Sequence, residues 1–301
     1  MSKIAFDKYA GIKDVCDVLE TLQPFLRQAT NVDINDDGKV VSRRDGSGAP
    51  LIAGSYHSPW SNRARTVMLA VVGADLVAAD PANIAVPTRV IRSGLTPGLA
   101  MTYAEVNDLI YYSNSQVIGF IEAGMDTAFP AITKTGGSRL PAGHILRYYR
   151  QRLYSVLGGR VAPSAALDYG RAVLRKDFLW FAGHITMFEA VDDGIYMSYG
   201  NTTVFLAGSK PNDFVVKPVA DYPAISGTAE VFDASLVSGR VPLQGPAVYW
   251  MSTEGPCIGY AGGQMINLAL TKVIPLAGHA GASIVRKNRK GFMQVLTVLQ
   301  T

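Results

Sequence analysis

Only two cysteines, Cys16 and Cys257, occur among 301 residues, and neither belongs to a C-x-x-C pair. That excludes a disulfide framework and a cysteine-built zinc module, and it fits synthesis in a reducing compartment. Charge is scarce as well: charged residues make up 17% of the chain against 48% hydrophobic. The surface must therefore draw on Gly, Ser, Thr and Tyr, which suits a protein partly covered by neighbours. The formal net charge is +4, and the basic residues are dispersed apart from RKNRK at 286–290. Five such residues beside Gly291 read more as a solvated hairpin tip than as a nucleic-acid footprint. No uninterrupted apolar run of about eighteen residues exists, and the amino-terminal stretch lacks the apolar core of a signal peptide. The expectation is a protein made in the cytoplasm that stays soluble, with no membrane span.

Catalytic signatures are missing too. There is no G-x-S-x-G, and GYAGG at 259–263 has the glycines of a phosphate loop without the Lys-Ser/Thr and helix that should follow, so it reads as a β-turn. The pairs Asp36-Asp37 and Asp192-Asp193 fall in expected hairpin turns, where Asp is favoured for backbone geometry. Three of the four histidines, His144, His184 and His279, directly follow Ala-Gly, and the fourth, His57, ends AGSYH. A residue type recurring at one place marks a repeated packing or turn element. No residue is thus assigned a catalytic, cofactor-binding or metal-ligating role, and no enzymatic activity is expected. Carboxylates for glycoside hydrolysis would have to meet from distant segments of the chain, so a glycan-active enzyme remains the rival.

What is present is a repeat. A small residue, or proline, followed by Gly precedes apolar strand-like runs at Gly54, Gly98, Gly143, Gly183, Gly227 and Gly278, in steps of 44, 45, 40, 44 and 51 residues. That is the length of one four-stranded propeller blade. Within a unit the order is strand, tight polar turn, strand carrying Tyr or Trp, second turn, third strand. The tight turns are expected at Asn107-Asp108, Gln151-Arg152 and Asp193-Gly194, with aromatic strands at 109–112, 153–156 and 195–199. The predicted fold is all-β: a six-bladed β-propeller over 31–301, with seven blades possible.

DINDDGKVVSRR, at 33–44, starts with EF-hand spacing, but its twelfth position is Arg44 where a bidentate carboxylate belongs. A β-hairpin around Asp37-Gly38 is the better reading. The last run, GASIVRKNRKGFMQVLTVL, supplies only about two strands, so the opening hairpin is expected to complete that blade and close the ring by pairing amino- and carboxy-terminal strands. Residues 1–30 form an arm, in which Ile12, Val15, Val18, Leu19 and Leu22 lie at the spacing of a short amphipathic helix before Pro24.

LRQATNVDINDDGKVVSRRDG resembles the start of a group of tailed-bacteriophage virion proteins. HSPWS, RSGLTPGLAMTYAEVNDLIYYSNSQVIG, AALDYGRA, VADYPAISGTA and YWMSTEGPCIGYAGGQMINL are similar to later segments of that group in the same order, so the likeness covers nearly the whole chain. SNRARTV and DASLVSGRVPLQGPA depart from it as apparent insertions in the second and sixth units, either contact loops or ordinary surface loops. The resemblance implies a structural protein of the virion tail. Its expected role is a nozzle or hub: a hexameric ring of copies around the DNA ejection channel, with adaptor or portal proteins above, tail-fibre or needle proteins as partners, and transient passage of viral double-stranded DNA. A head-closure or fibre-attachment protein is the alternative. RKNRK and Arg43-Arg44 should then face away from the lumen, where bound phosphate would hold the genome back.

Overall fold

The computed structural model describes residues 52, 54–83, 88–129, 137–236, 245–268, 278–287 and 293–300, together with short strands at 11–12, 25–26, 32–34 and 40–42. Its body is all-β. Five antiparallel sheets follow one another along the chain, and four of them have four strands in sequence order. Sheet 1 comprises Tyr56–Ser61, Met68–Val72, Asp75–Ala79 and Arg89–Arg92. Sheet 2 comprises Thr102–Val106, Leu109–Ser113, Ile118–Glu122 and Met125–Thr127. Sheet 3 is built on Ile145–Tyr149, Arg152–Leu157, Arg160–Ala165 and Asp168–Ala172, with Ser138–Arg139 and Leu179–Trp180 added at its outer side. Sheet 4 holds Ile185–Val191, Gly194–Tyr199, Thr202–Ala207 and Val215–Ala220, and sheet 5 holds Glu230–Asp233, Pro246–Ser252, Gly255–Tyr260 and Gln264–Asn267.

Each Gly of the repeat lies two to four residues before the first strand of a sheet, or of the carboxy-terminal hairpin Ala280–Lys287 and Met293–Gln300. The period read from the sequence is therefore the period of the sheets. The turns fall where expected, with one-residue slips. Asn107 and Asp108 both take positive φ, 50° and 63°, the backbone that matches a two-residue hairpin to strand twist. In sheet 3 the turn is Arg150-Gln151 (φ 45° and 65°), and Arg152 already belongs to the strand. In sheet 4 the turn is Asp192-Asp193, and the strand begins at Gly194.

The core lies between sheets rather than inside any one of them. Leu69, Val71, Tyr103 and Tyr112 pack sheet 1 on sheet 2, and Tyr111, Phe129, Leu146 and Leu153 pack sheet 2 on sheet 3. Tyr154, Phe188, Ile195 and Leu206 fill the gap between sheets 3 and 4, while Tyr196, Phe205, Trp250 and Cys257 fill that between 4 and 5. The second strands thus deliver the buried aromatics foreseen from their sequence. One inference from composition is corrected here: seven of the fourteen tyrosines, at 103, 111, 112, 149, 154, 196 and 249, are buried within the chain. They serve the chain's own core and are not held in reserve for subunit interfaces.

Several terminal expectations are revised or fall outside the described residues. Gly11–Ile12 pairs in parallel with Phe25–Leu26, so Ile12 is in a strand and not in the expected helix, whose remaining positions are not described. The hairpin of Val32–Ile34 and Val40–Ser42 forms, and its Asp37-Gly38 turn lies outside the described residues. It stands as a two-stranded sheet, as does the carboxy-terminal hairpin, and among the described residues no pairing joins the two. SNRARTV and DASLVSGRVPLQGPA connect first to second strands in sheets 1 and 5, the second and sixth units when the one opened by the 32–42 hairpin is counted first.

Candidate functional site: the cavity between the first strands

The first strands lie side by side. Bonds near their beginnings join every successive pair of sheets, mostly from a side chain of one unit to the backbone of the next. Met101 N donates to Ser58 Oγ at 2.9 Å, Leu146 N to Thr102 Oγ1 at 3.2 Å, His144 Nε2 to the Ile185 carbonyl at 2.9 Å and Thr186 Oγ1 to the Ala224 carbonyl at 2.9 Å. Gly281 N donates to the Ser226 carbonyl at 2.8 Å, carrying the series to the carboxy-terminal hairpin. The strands line a cavity of about 480 Å³ that takes in Trp60, Tyr103, Arg147, Glu189 and Glu230, one from each of the five sheets.

Three ionisable groups converge there. Each sits in an otherwise apolar stretch, ILRYY, ITMFEAV or AEVF, where a charge is costly unless it is paired. Arg147 Nε donates to Glu189 Oε1 and Oε2 at 2.8 and 2.7 Å, and its Nη2 lies 2.6 Å from Oε1. Its Nη1 donates to Thr102 Oγ1 and to the Leu146 carbonyl, both at 2.8 Å. The guanidinium thus links sheets 2 and 4 from a strand of sheet 3, and both oxygens of the buried Glu189 are taken.

Glu230 is different. Burial first, and the neighbouring Glu189 second, push its carboxyl up to about 7, with Arg147 opposing. No donor among the described residues hydrogen-bonds to it. Tyr103, 7% exposed, stacks on Trp60 with ring centroids 5.4 Å apart, and its buried hydroxyl has no partner among the described residues.

The histidines act as the repeat suggested for two of the four. His144 and His184 stack at 4.6 Å, and burial lowers the pKa of His144, which stays a neutral donor to the Ile185 carbonyl. His57 contacts Ser58 Oγ at 3.0 Å, and His279 is exposed at the start of the carboxy-terminal hairpin. GYAGG is a turn, with Gly262 and Gly263 at φ 87° and 76°. Arg43, Arg44 and the RKNRK side chains lie outside the described residues. Among the described residues no group of three or more His, Cys, Asp or Glu could hold a metal ion, and no helix is long and apolar enough to cross a membrane.

Sequence reasoning did not find Arg147, Glu189 and Glu230, because they are brought together from units about forty residues apart. The one available signal was a charged residue inside the first strand of a unit.

The successive sheets, packed face to face with their first strands together, define a protein of the β-propeller type. No family model and no curated protein matches the chain. Among solved structures it is similar to the extracellular domain of a putative one-component system from B. thetaiotaomicron, with a TM-score of 0.50 and 9% identity over 80% of this chain and 30% of that one. A chain of the mitotic checkpoint complex is similar at TM-score 0.50 and 10% identity, over 88% and 80% respectively. The WD40 domain of Neurospora crassa Pan2 scores 0.45 at 10% identity, over 75% and 67%. The chain thus spans less than a third of the first of these. Likeness at such identity concerns the fold alone.

Proposed function

We propose that this chain is a non-enzymatic virion structural protein of a tailed bacteriophage, a six-bladed propeller whose copies form the ring of a tail nozzle or hub around the DNA exit path. The family reading rests on the sequence resemblance. Six blades follow from six repeat anchors, with the carboxy-terminal hairpin counted as half a blade that the hairpin at 32–42 completes.

The observation that carries the structural role is the character of the outer strands. Val90, Met125, Trp180, Val215, Val216 and Ile266 all lie on last or added strands of their sheets, and all are exposed. An outer strand offers unpaired backbone groups as well as side chains, and apolar groups left there favour lateral association. Copies placed edge to edge about an axis close into a ring by heterologous contacts. DNA would pass between copies and not through one: a cavity of about 480 Å³ has no room for a duplex whose major groove alone is about 12 Å wide. The engagement of both Glu189 oxygens by Arg147 supports a non-catalytic reading, since it leaves no second free carboxylate beside Glu230.

Electron microscopy of the purified chain tests this directly. Rings are expected, and Trp180→Glu with Val215→Lys should convert them to monomers with an unchanged melting temperature. A chain that stays monomeric at tens of micromolar, or a glycan hydrolysed by the monomer, would overturn the reading.

A further inference from the structure

We infer that the cavity between the first strands is a binding site for an organic monocation, an alkylammonium or guanidinium group on a stem of side-chain length, held by Glu230 against the Trp60–Tyr103 wall.

The charge count comes first. Three groups in the cavity can carry charge: Arg147, Glu189 and, as pH rises through about 7, Glu230. Arg147 and Glu189 neutralise each other through three contacts of 2.6–2.8 Å, and Nη1 of Arg147 donates to Thr102 and to backbone. That leaves one carboxylate without a counter-charge. The other titratable groups on the facing elements do not supply it: His144 is a neutral donor to Ile185 and stacks on His184, and Tyr103 carries no charge. A half-buried carboxylate without a counter-charge attracts a cation, and one ligand cation restores neutrality.

Shape agrees with charge. A volume of about 480 Å³ falls within the range of small-molecule sites and far exceeds the space one water needs. Tyr103, over nine-tenths buried, lines the same cavity with a hydroxyl unsatisfied among the described residues. It stacks on Trp60, and indole is the side chain best suited to face a cation. An anion would meet two carboxylates and one guanidinium that Glu189 already neutralises, so the site discriminates against phosphate and carboxylate ligands.

Glu230 also ties the site to pH. Its carboxyl is held up at about 7 by burial and by Glu189, and only the ionised form attracts a cation. Binding should therefore expel a proton near neutrality. A basic side chain on a polypeptide and a free amine share this chemistry.

Calorimetric titration of the intact protein with Nα-acetyl-lysine methylamide, Nα-acetyl-arginine methylamide and a blocked heptapeptide with one central lysine tests the site. At least one probe should bind about tenfold more tightly at pH 8 than at pH 6, the factor expected for a group titrating near 7. Proton release should appear as a dependence of the heat on buffer. Tighter binding of the heptapeptide than of the single residues would assign a polypeptide as the source. Glu230→Gln should abolish binding while its melting transition shows it folded. Should that variant fail to fold, Trp60→Leu serves in its place, with at least a threefold loss of affinity expected. Failure of all three probes to bind at pH 8, binding that does not change with pH, or full retention by a folded Glu230→Gln variant would each overturn the proposal. None of these outcomes touches the ring assembly, which depends on the outer strands.

Discussion

Arg147 shows how one residue can tie three sheets together. Its guanidinium binds Glu189 of sheet 4 and Thr102 of sheet 2 from a strand of sheet 3. The Glu189 side chain is 5% exposed and that of Arg147 29%. Removing the cation alone strands a buried carboxylate, at a cost of about 3 kcal/mol. Arg147→Met should therefore lower stability by that order in urea unfolding, and Arg147→Met with Glu189→Leu should recover most of the loss. A double variant as unstable as the sum of the two single ones would mean that the pair contributes no coupling. Glu230 adds a pH term of the opposite kind. Its folded pKa lies above the ordinary carboxylate value, so its contribution is full in acid and is lost as pH rises through about 7.

At the scale of elements, the contacts between sheets are made by a few large side chains, several of them on the second strands. Tyr196 crosses from sheet 4 to sheet 5, where its hydroxyl donates to the Gln264 carbonyl at 2.6 Å or the Tyr260 carbonyl at 2.7 Å and accepts from Tyr260 N at 3.1 Å. Its ring lies so close to Gly259 that an added Cβ there would meet Cζ at 2.6 Å. Five strands later, in the third strand of sheet 5, Gly259 is thus required by Tyr196 and not by any turn. Tyr196→Phe should cost about 1–3 kcal/mol, and Gly259→Ala more, both read as shifts in the denaturation midpoint. A Gly259→Ala variant as stable as the parent would show that the two sheets are further apart than described here. Much of this level was legible in advance: the Gly-led period, the Asn-Asp turn at 107–108 and the aromatic second strands are local signals, fixed by residues within a few positions of one another. The convergence of Arg147, Glu189 and Glu230 was not legible, since nothing in ILRYY or AEVF indicates which other strand will face it. The tyrosine count misled for a related reason, because composition does not distinguish a gap between sheets from a gap between subunits.

At the scale of the whole molecule, the carboxy-terminal hairpin is the last link in the series. It has eight paired positions, and it is held to sheet 5 through Gly281 N and the Ser226 carbonyl and through Tyr249 Oη and Thr297 Oγ1 at 3.0 Å. Deleting 293–301 removes one strand of the hairpin and the Thr297 contact, and exposes the side of sheet 5 that it covers. If the ring is closed through this hairpin, the deletion should lower the melting temperature of the entire domain in a single transition. An unchanged melting temperature would place closure elsewhere. The link from each sheet to the following one has a further consequence during synthesis. A sheet leaving the ribosome presents an apolar face whose cover has not yet been translated, and at about 5–20 residues per second a further unit of roughly forty-five residues takes several seconds. Nascent chains of this architecture therefore carry one sticky flank, which moves along with translation.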